Sequence, residues 1–239
     1  MATAILVDGA FFLRRFRYAF PDHDRASPAS VAHGLHLLVN WHLVQRLGPA
    51  TVNEIVARRH LLEESREFYR VFFYDCSPLT KRVHTPLGRK SIDFSKSTEA
   101  VFRLQLHSEI RTQRKVAIRL GRLNDTSRWR LTEKATDRLI ADPTNFHATD
   151  DDFDIDTKQK GVDMRMGLDV ASLAFKRQVD QIVMVAADGD FVPAAKLARR
   201  EGIDVILDRM GDQRAARDLI DHVDAVRDCR LPRENRRDK

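Results

Sequence analysis

Short apolar runs alternate with helical patterns along the first third of this chain. Residues 2–7 (ATAILV) and 70–75 (RVFFYD) are typical of buried strands, and each run leads into or ends at an aspartate. Between them, apolar residues recur at helical spacing in residues 30–43 and again in residues 52–62. Two helices between two buried strands predict a crossover connection of the kind that joins parallel strands.

The last third of the chain repeats helix and strand with short links. Residues 161–178 have the pattern of a helix, and residues 181–186 (QIVMVA) have that of a buried strand. Residues 191–202 predict a second helix closed by a glycine, and residues 203–208 (IDVILD) predict another strand. This alternation predicts a parallel sheet with helices on both faces, in which ligands bind at the carboxyl ends of the strands.

The middle of the chain is less regular, and we expect an insertion at about residues 76–155. It contains a predicted helix at 97–114 and an alternating, strand-like stretch at 115–123. Residues 127–140 predict a short strand followed by a helix. The acidic run at 149–156 (TDDDFDID) predicts a loop or an interaction stretch.

Length and composition indicate an ordinary folded domain. The chain has 239 residues, of which 43% are hydrophobic and 32% charged. We expect one domain over residues 1–225, including the insertion. Residues 226–239 are basic and have little to bury, so they predict a flexible tail.

The two cysteines and the apolar runs bear on location. Cys76 and Cys229 are far apart and lack metal-binding spacing, which favours a reducing cytoplasm and argues against structural zinc. No apolar run reaches the ~18 residues of a membrane span, and the start has no signal-peptide pattern. We therefore expect a cytoplasmic protein without a membrane partner. The net charge of +6 suits a polyanionic partner without specifying one.

Aspartates stand where the predicted strands and one helix meet the same edge of the sheet. Asp8 ends the first strand, Asp163 opens a helix, and Asp188 and Asp190 follow a later strand. Carboxylates without His or Cys select hard cations such as Mg²⁺ or Mn²⁺. Such an ion is able to generate a nucleophilic hydroxide and to stabilise charge on a phosphodiester. Taken singly, Asp-Gly pairs are also common turn dipeptides, and an acidic residue in a first helical turn is favoured by the helix dipole.

Asp169 lies inside the same predicted helix as Asp163, among apolar positions where an unpaired carboxylate is costly to bury. Its offset of six residues places it about 120° around the helix from Asp163. The two side chains therefore cannot bind one ion simply as neighbours on a face. Either Asp169 points into the site from deeper in the helix, or only one of the two is a ligand.

The basic residues near these positions are consistent with two roles, binding of a phosphate backbone or simple exposure to solvent. Lys160, just before the helix, is placed to balance the acidic cluster or to contact a phosphate, and a solvated lysine is as consistent with the pattern. Arg14, Arg15 and Arg17 are placed to bind a nucleic-acid backbone, although basic residues after a strand are commonly a solvated helix face.

Several of these stretches together resemble a known family. AILVDGAFF near the start, QKGVDMRMGLDVASLA, and DQIVMVAADGDFVPAAKLARREGIDVILD resemble the NYN domain, a branch of the PIN-like nuclease superfamily, and specifically its LabA-like bacterial members. KVAIRLGRLND followed by WRLTEKATDRL is similar to the middle part of that subgroup. The resemblance runs from the first strand to about residue 225 and is weakest between residues 20 and 65.

The resemblance implies a three-layer α/β/α PIN-like (Rossmannoid) fold with a central, mainly parallel sheet and a middle insertion. It also implies a ribonuclease that hydrolyses RNA phosphodiester bonds through an aspartate-held Mg²⁺ or Mn²⁺ ion and an activated water. In that reading Asp8, Asp163 and Asp188 bind the metal, and Asp169 and Asp190 complete or orient the site. Lys160, Arg14 and Arg15 are the candidates for binding the substrate, an RNA such as tRNA or single-stranded RNA.

This chain departs from the family at one point, and other functions stay open. Members commonly carry Ser-Gly-Asp where this chain has Ala186 and Ala187 ahead of Asp188, so a hydroxyl that orients a ligand or a water is missing. A non-catalytic RNA-binding or regulatory module is therefore the alternative. A toprim-like fold would require a glutamate in place of Asp8, and a haloacid-dehalogenase-type phosphatase would require an aspartate at Ala10. A homodimer is left open.

Overall fold

The computed structural model describes residues 2–45 and 67–231, apart from the side chains of residues 124–127 and 158–159. The helix predicted at residues 52–62 lies outside the described residues. The described strands are β1 (Thr3–Asp8), β2 (Phe68–Cys76), β3 (Arg82–His84), β4 (Ser91–Asp93), β5 (Val116–Leu131), β6 (Phe153–Lys160), β7 (Gln181–Val185), β8 (Asp204–Asp208) and β9 (Ala225–Arg227). The described helices are α1 (Gly9–Ala19), α2 (Pro28–Gln45), α3 (Thr98–Thr112), α4 (Glu133–Ala141), α5 (Val162–Phe175), α6 (Val192–Arg200) and α7 (Arg217–Ile220).

The central sheet has the strand order β6-β5-β2-β1-β7-β8-β9. Six of these strands, from β5 to β9 in that order, run parallel, and β6 pairs antiparallel with β5. One face of the sheet packs against α1, α2 and α3, and the other packs against α5 and α6. The chain therefore has the α/β/α architecture, with a mainly parallel sheet, that the sequence predicts.

The innermost strands are apolar because helices cover both of their faces. All five residues of β7 are buried, as are the first five of β1. Helix α1 supplies a cluster of phenylalanines to the core on one face: Phe12 and Phe16 are 0% and 1% exposed, and their ring centroids lie 5.6 Å apart. Truncating such a ring to alanine typically costs ~3–5 kcal/mol of stability, so this helix is firmly fixed on the sheet.

Strand β5 belongs to two different ladders. Its first part pairs parallel with β2, from Val116 opposite Val71 to Gly121 opposite Cys76. Residues 122–131 instead pair antiparallel with β6. This second ladder extends past the carboxyl edge of the parallel strands, and the chain between its two strands forms α4. We call residues 122–160 the arm.

Two sequence predictions need adjusting in this region. The acidic run at 149–156 is a 3-10 helix at Asp150–Asp152 followed by the start of β6, so the loop prediction is wrong from Phe153 onward. The alternation of Phe153, Ile155 and Thr157 with polar residues is the strand signal that the acidic composition concealed. Within the predicted insertion at 76–155, α3 and the first part of β5 belong to the layers of the main domain.

The end of the described chain is packed onto the domain. Residues 225–227 form β9, Cys229 and Leu231 are buried, and the Leu231 amide donates to the carbonyl of Ala19 (2.9 Å). The tail predicted from residue 226 therefore includes six residues that are part of the fold. Residues 232–239 lie outside the described part, and the domain boundaries themselves stay a prediction.

Candidate active site

Three of the predicted carboxylates, Asp8, Asp163 and Asp188, are brought to one edge of the sheet together with Asp190. Asp8 ends β1, and Asp188 follows β7, which is the neighbour of β1. Burial raises the pKa of Asp8; backbone hydrogen bonds oppose this, and the charge of Asp163 adds to it. Desolvation also raises the pKa of Asp163, and the charges of Asp188 and Asp190 raise it further. The four side chains therefore share one field of negative charge.

Asp8 is a helix cap as well as a strand end. Its Oδ1 accepts hydrogen bonds from the amides of Ala10 (3.0 Å) and Phe11 (3.1 Å), at the start of α1. Oδ2 has no hydrogen bond to any described residue. Close packing, rather than a turn, explains why glycine follows Asp8. A Cβ atom on Gly9 would lie 2.7 Å from the carbonyl oxygen of Tyr74.

Asp188 repeats this arrangement on the neighbouring strand. Its Oδ1 accepts a hydrogen bond from the amide of Asp190 (3.1 Å) and so caps the 3-10 helix Gly189–Phe191. Gly189 does not have the positive φ that a glycine-requiring turn needs. The cap fixes one carboxylate oxygen in place, and Oδ2 bonds to no described residue.

Asp163 is held by the way α5 begins. Gly161 has φ +78°, a left-handed conformation that favours glycine, and it is the N-cap of α5. Asp163 therefore lies in the first turn of the helix, where the dipole partly offsets the repulsion from its neighbours. Its side chain is exposed, with no hydrogen bond or ion pair to the described residues.

Asp169 has other partners. Its Oδ2 accepts hydrogen bonds from Tyr74 Oη (2.8 Å) and Arg119 Nε (2.9 Å). Burial raises the pKa of Tyr74, and the charge of Asp169 raises it further, so the phenol stays a proton donor. These bonds tie α5 to β2 and β5. The assignment of Asp169 to the metal site stays a prediction.

The predicted substrate-binding residues fall into two groups. Arg14 is exposed, and its charge acts on Asp8, where it opposes the rise in the pKa of that carboxyl. Lys160 is exposed at the end of β6, next to the start of α5. Arg15, in contrast, donates through Nε and Nη2 to the carbonyl of Met210 (3.1 and 3.0 Å), so its guanidinium holds the loop after β8. Their roles in binding a substrate stay predictions, as does that of Arg17.

Two buried carboxylates at the same edge were not singled out from the sequence. Asp75, at the end of β2, bonds to His107 (2.8 Å) and to Arg103. Asp208, at the end of β8, bonds to His42 (2.8 Å). Their helical partners are 28 or more residues away in the chain, so no local sequence pattern reveals the pairing.

The side chains at this edge offer the kind of ligand atom that a hard divalent cation prefers. These atoms are carboxylate oxygens, the ligands that Mg²⁺ and Mn²⁺ prefer, and Oδ2 of Asp8 and of Asp188 bonds to no described residue. Burial is the main cause of the raised pKa values of Asp8 and Asp163, and the charges of neighbouring aspartates add a repulsion that a cation would relieve. Within residues 2–45 and 67–231, no three His, Cys, Asp or Glu side chains lie close enough to one another to hold a metal ion as they stand.

Comparison with known proteins places the chain, rather than its site, in a family. No curated protein matches the chain. A solved structure, a protein of unknown function from Vibrio parahaemolyticus, aligns with 94% of this chain and 90% of its own at 15% identity and a TM-score of 0.43. Among the described helices, none is long and apolar enough to cross a membrane.

The model of the NYN domain matches residues 76–229, which is more than half of the chain. Domains of this family are in general nucleases, and they typically use divalent metals. The match does not specify a branch, so the LabA-like assignment stays a prediction. It begins after β1, which pairs with β2 and β7 in the middle of the sheet and adds Asp8 to the edge. The chain belongs to the NYN domain family.

Proposed function

We propose that this protein is a ribonuclease that hydrolyses RNA phosphodiester bonds with the help of a Mg²⁺ or Mn²⁺ ion. The observation that carries the proposal is the coupling of Asp8, Asp163, Asp188 and Asp190 at the carboxyl edge, in a chain of a nuclease family. The proposed location is the cytoplasm.

Asp8, Asp163 and Asp188 are the residues that would hold the ion. When bound, a divalent cation supplies positive charge to the phosphate and makes a water molecule a stronger nucleophile. The backbone bonds to Oδ1 of Asp8 and Asp188 keep those two carboxylates oriented, and the exposed side chain of Asp163 would move towards them when the ion binds. Asp190 adds charge beside Asp188, and Asp169 positions α5 through Tyr74 and Arg119.

The basic residues at the edge would position the RNA. Arg14 lies close enough to Asp8 to act on its pKa, so a phosphate beside Asp8 would also face Arg14. Lys160 stands one residue before the cap of α5 and is exposed. Arg15 would act indirectly, because both of its bonded nitrogens hold the carbonyl of Met210.

The deciding experiment is cleavage of end-labelled tRNA, single-stranded RNA and single-stranded DNA with Mn²⁺, Mg²⁺ or EDTA. Wild type is compared with Asp188→Asn, which keeps an oxygen for the cap but loses the charge. The control is Asp151→Asn, an exposed carboxylate on the arm. We expect metal-dependent cleavage of RNA by wild type and the control, and a loss of about 100-fold or more in Asp188→Asn.

Two results would contradict the proposal. Cleavage that persists in EDTA, or that is equal in wild type and Asp188→Asn, would remove the metal site from the mechanism. Binding of RNA without cleavage under every condition would favour a non-catalytic RNA-binding or regulatory module. Ala187 is the residue that favours this second function, since it provides no hydroxyl beside Asp188.

A further inference from the structure

A cavity of about 450 Å³ opens between the arm and the N-terminal half of α3. Its size lies in the range of small-ligand sites, ~300–1000 Å³. Apolar side chains from three separate segments contribute to its walls: Leu79 after β2, Phe94 before α3, and Ile155 in β6. None of the residues discussed above as metal ligands lines it.

A fixed guanidinium lies in the wall of this cavity. Arg103 donates through Nη1 to Asp75 and through Nε to Glu99 (2.8 Å). Its Nη2 makes no hydrogen bond within the described part of the chain, although the side chain is only 16% exposed. One donor edge of a largely buried cation is therefore available to a molecule in the cavity.

Asp75 and His107 keep the guanidinium of Arg103 charged. Burial would raise the pKa of Asp75, but the hydrogen bond from His107 and the charge of Arg103 outweigh it and hold that pKa below its usual range. Burial likewise works against the charge of Arg103, and Asp75 outweighs it and raises the pKa of the guanidinium. Asp75 and Arg103 therefore stay ionised at neutral pH. The hydrogen bonds to His107 and Glu99 fix the orientation of the pair.

The rim of the cavity carries both signs of charge. Arg130, on β5, is 61% exposed and lies 3.7 Å from Asp156, a distance typical of a weak surface pair. Glu99, on α3, and Asp154, the partner of Arg130 in the β5–β6 ladder, are exposed and are able to accept hydrogen bonds from N–H groups. Apolar walls, a guanidinium in the wall, and polar groups of both kinds at the rim suit a flat heterocycle joined to a phosphate.

The cavity also lies close to the carboxylates. Asp8 stands opposite Tyr74 in the ladder, and Cys76, which lines the cavity, is two residues further along β2. Strand spacing then separates the Cα atoms of Asp8 and Cys76 by roughly 8 Å. The cavity opens on the α3 side of the sheet, whereas Asp163 belongs to α5 on the other side. A chain bound in both places would cross the carboxyl edge between them.

We propose that this cavity binds one nucleotide of a single-stranded RNA, next to the phosphate that is cleaved. The base lies between Leu79, Phe94 and Ile155, and the phosphate contacts Arg103 Nη2 and Arg130. This inference rests on the proposed function for the identity of the strand. A free mononucleotide has the same chemistry, and the experiment separates the two sources.

The test measures binding of a fluorescein-labelled single-stranded RNA of 12 nucleotides, in EDTA, so that cleavage does not interfere. Thr157→Trp fills the cavity from β6, and Arg130→Ala removes a rim cation. Arg128→Ala, an exposed arginine on the same strand that does not line the cavity, is the matched control. Thermal unfolding of each variant checks folding, and Arg130→Ala, altered at an exposed side chain, carries the test if Thr157→Trp does not fold.

We expect Thr157→Trp to weaken RNA binding about tenfold or more, because it excludes a stacked base. Arg130→Ala should weaken binding and reduce the slope of log K against log [salt] by about 0.7, the value for one lost phosphate contact to a single strand. A merely structural role for Arg130 would leave that slope unchanged. Arg128→Ala should bind as wild type does.

Unchanged affinity and slope in both cavity variants would overturn the inference, and cleavage by wild type in Mn²⁺ would show that the proposed function stands without it. Loss of RNA binding in those variants, with no cleavage in any metal, would support the cavity and remove the nuclease proposal instead. The four nucleoside monophosphates are added as competitors. Displacement of the RNA by micromolar monophosphate would assign the site to a free nucleotide and overturn the RNA-strand proposal.

Discussion

The carboxylate of Asp8 has its two oxygens in different surroundings. Oδ1 accepts two amide hydrogen bonds at the start of α1, and Oδ2 has no partner in the described residues. Asp188 divides its oxygens in a similar way, with Asp190 as the donor. Substituting either residue with alanine would thus remove a helix cap, worth ~1 kcal/mol, together with the charge. Asparagine keeps an oxygen that accepts the cap hydrogen bonds and removes only the charge, so it separates the two effects.

Asp163 allows the charge to be tested without a cap. Because the pKa of Asp163 is raised in the fold, its ionised form destabilises the protein, and the stability it contributes when protonated is lost as the pH rises. We therefore expect Asp163→Asn to raise the Tm of the metal-free protein at pH 7 but not at about pH 3. MnCl₂ should raise the Tm of wild type and not that of the variant. Thermal unfolding in EDTA and in MnCl₂ measures both.

Asp151→Asn is the control for this comparison, since it removes an exposed charge on the arm. A Tm for Asp163→Asn below that of wild type at pH 7 would mean that the carboxylate stabilises the fold. An equal response to MnCl₂ in wild type and Asp163→Asn would remove Asp163 from the set of ligands.

The site residues could be identified from the sequence to different extents. Asp8 and Asp188 follow buried strands, and the carboxyl ends of parallel strands meet, so their proximity was predictable. The partners of Asp169 were not, since Tyr74 and Arg119 belong to strands that come next to α5 only in the folded chain. Asp75 was visible as the end of a strand, but its burial depends on α3 supplying His107.

At the scale of elements, the start of α5 decides where Asp163 stands. Gly161 has a positive φ and makes no contact that a Cβ atom would disturb. Glycine is therefore needed at position 161 only for its backbone conformation. Gly167, five residues into the same helix, has no positive φ, and a Cβ atom there also meets nothing within 4 Å.

These two glycines should respond to alanine with opposite signs. Gly161→Ala places a side chain in the left-handed region and should destabilise the protein by ~1–2 kcal/mol. Gly167→Ala relieves the entropic cost of a helical glycine and should stabilise it by ~0.5–1 kcal/mol. Urea unfolding measures both, and only Gly161→Ala should also reduce RNA cleavage. Destabilisation of similar size by the two substitutions would contradict this account of the helix start.

The sequence predicted the elements that are buried on both faces and, in the arm, the end of β5 and helix α4, but it missed strand β6. Strands β1, β2, β7 and β8 are continuous apolar runs, which is the pattern of a covered parallel sheet. Strand β6 pairs with β5 outside the parallel part of the sheet, and the polar positions of its alternation are the aspartates Asp154 and Asp156. Its composition is typical of a loop, so local signal and tertiary pairing disagreed.

Across the whole molecule, buried carboxylates bonded to helical side chains join the helical layer to the carboxyl edge. Arg103 and His107 of α3 meet Asp75, and His42 of α2 meets Asp208. Both carboxylates have side chains that are 0% exposed. Separating Asp75 from Arg103 leaves an uncompensated charge in the core, which typically costs ~3–5 kcal/mol.

The pair at Asp75 predicts a specific acid response. Its pKa is lowered in the fold, so its contribution is present above the ordinary carboxyl range and is lost as the pH falls through the lowered value. Asp75→Asn should thus destabilise the protein by ~3 kcal/mol at pH 7. The difference from wild type should shrink below about pH 4. Guanidinium unfolding at pH 7, 5 and 3 measures it, and a difference that is constant with pH would contradict the ionised pair.

Strand β5 pairs with β2 in the main sheet and with β6 in the arm. The arm is therefore a part of the protein into which residues can be inserted. Residues 142–149 connect α4 to the 3-10 helix of the arm and are mostly exposed, and no residue among them lines the edge that carries Asp8. Because the arm is closed by its own ladder with β6, added residues at that connection need not disturb the register of the parallel strands. A fluorescent reporter inserted there would be attached to the arm and leave the carboxylates untouched, which makes the position suitable for following RNA binding in real time.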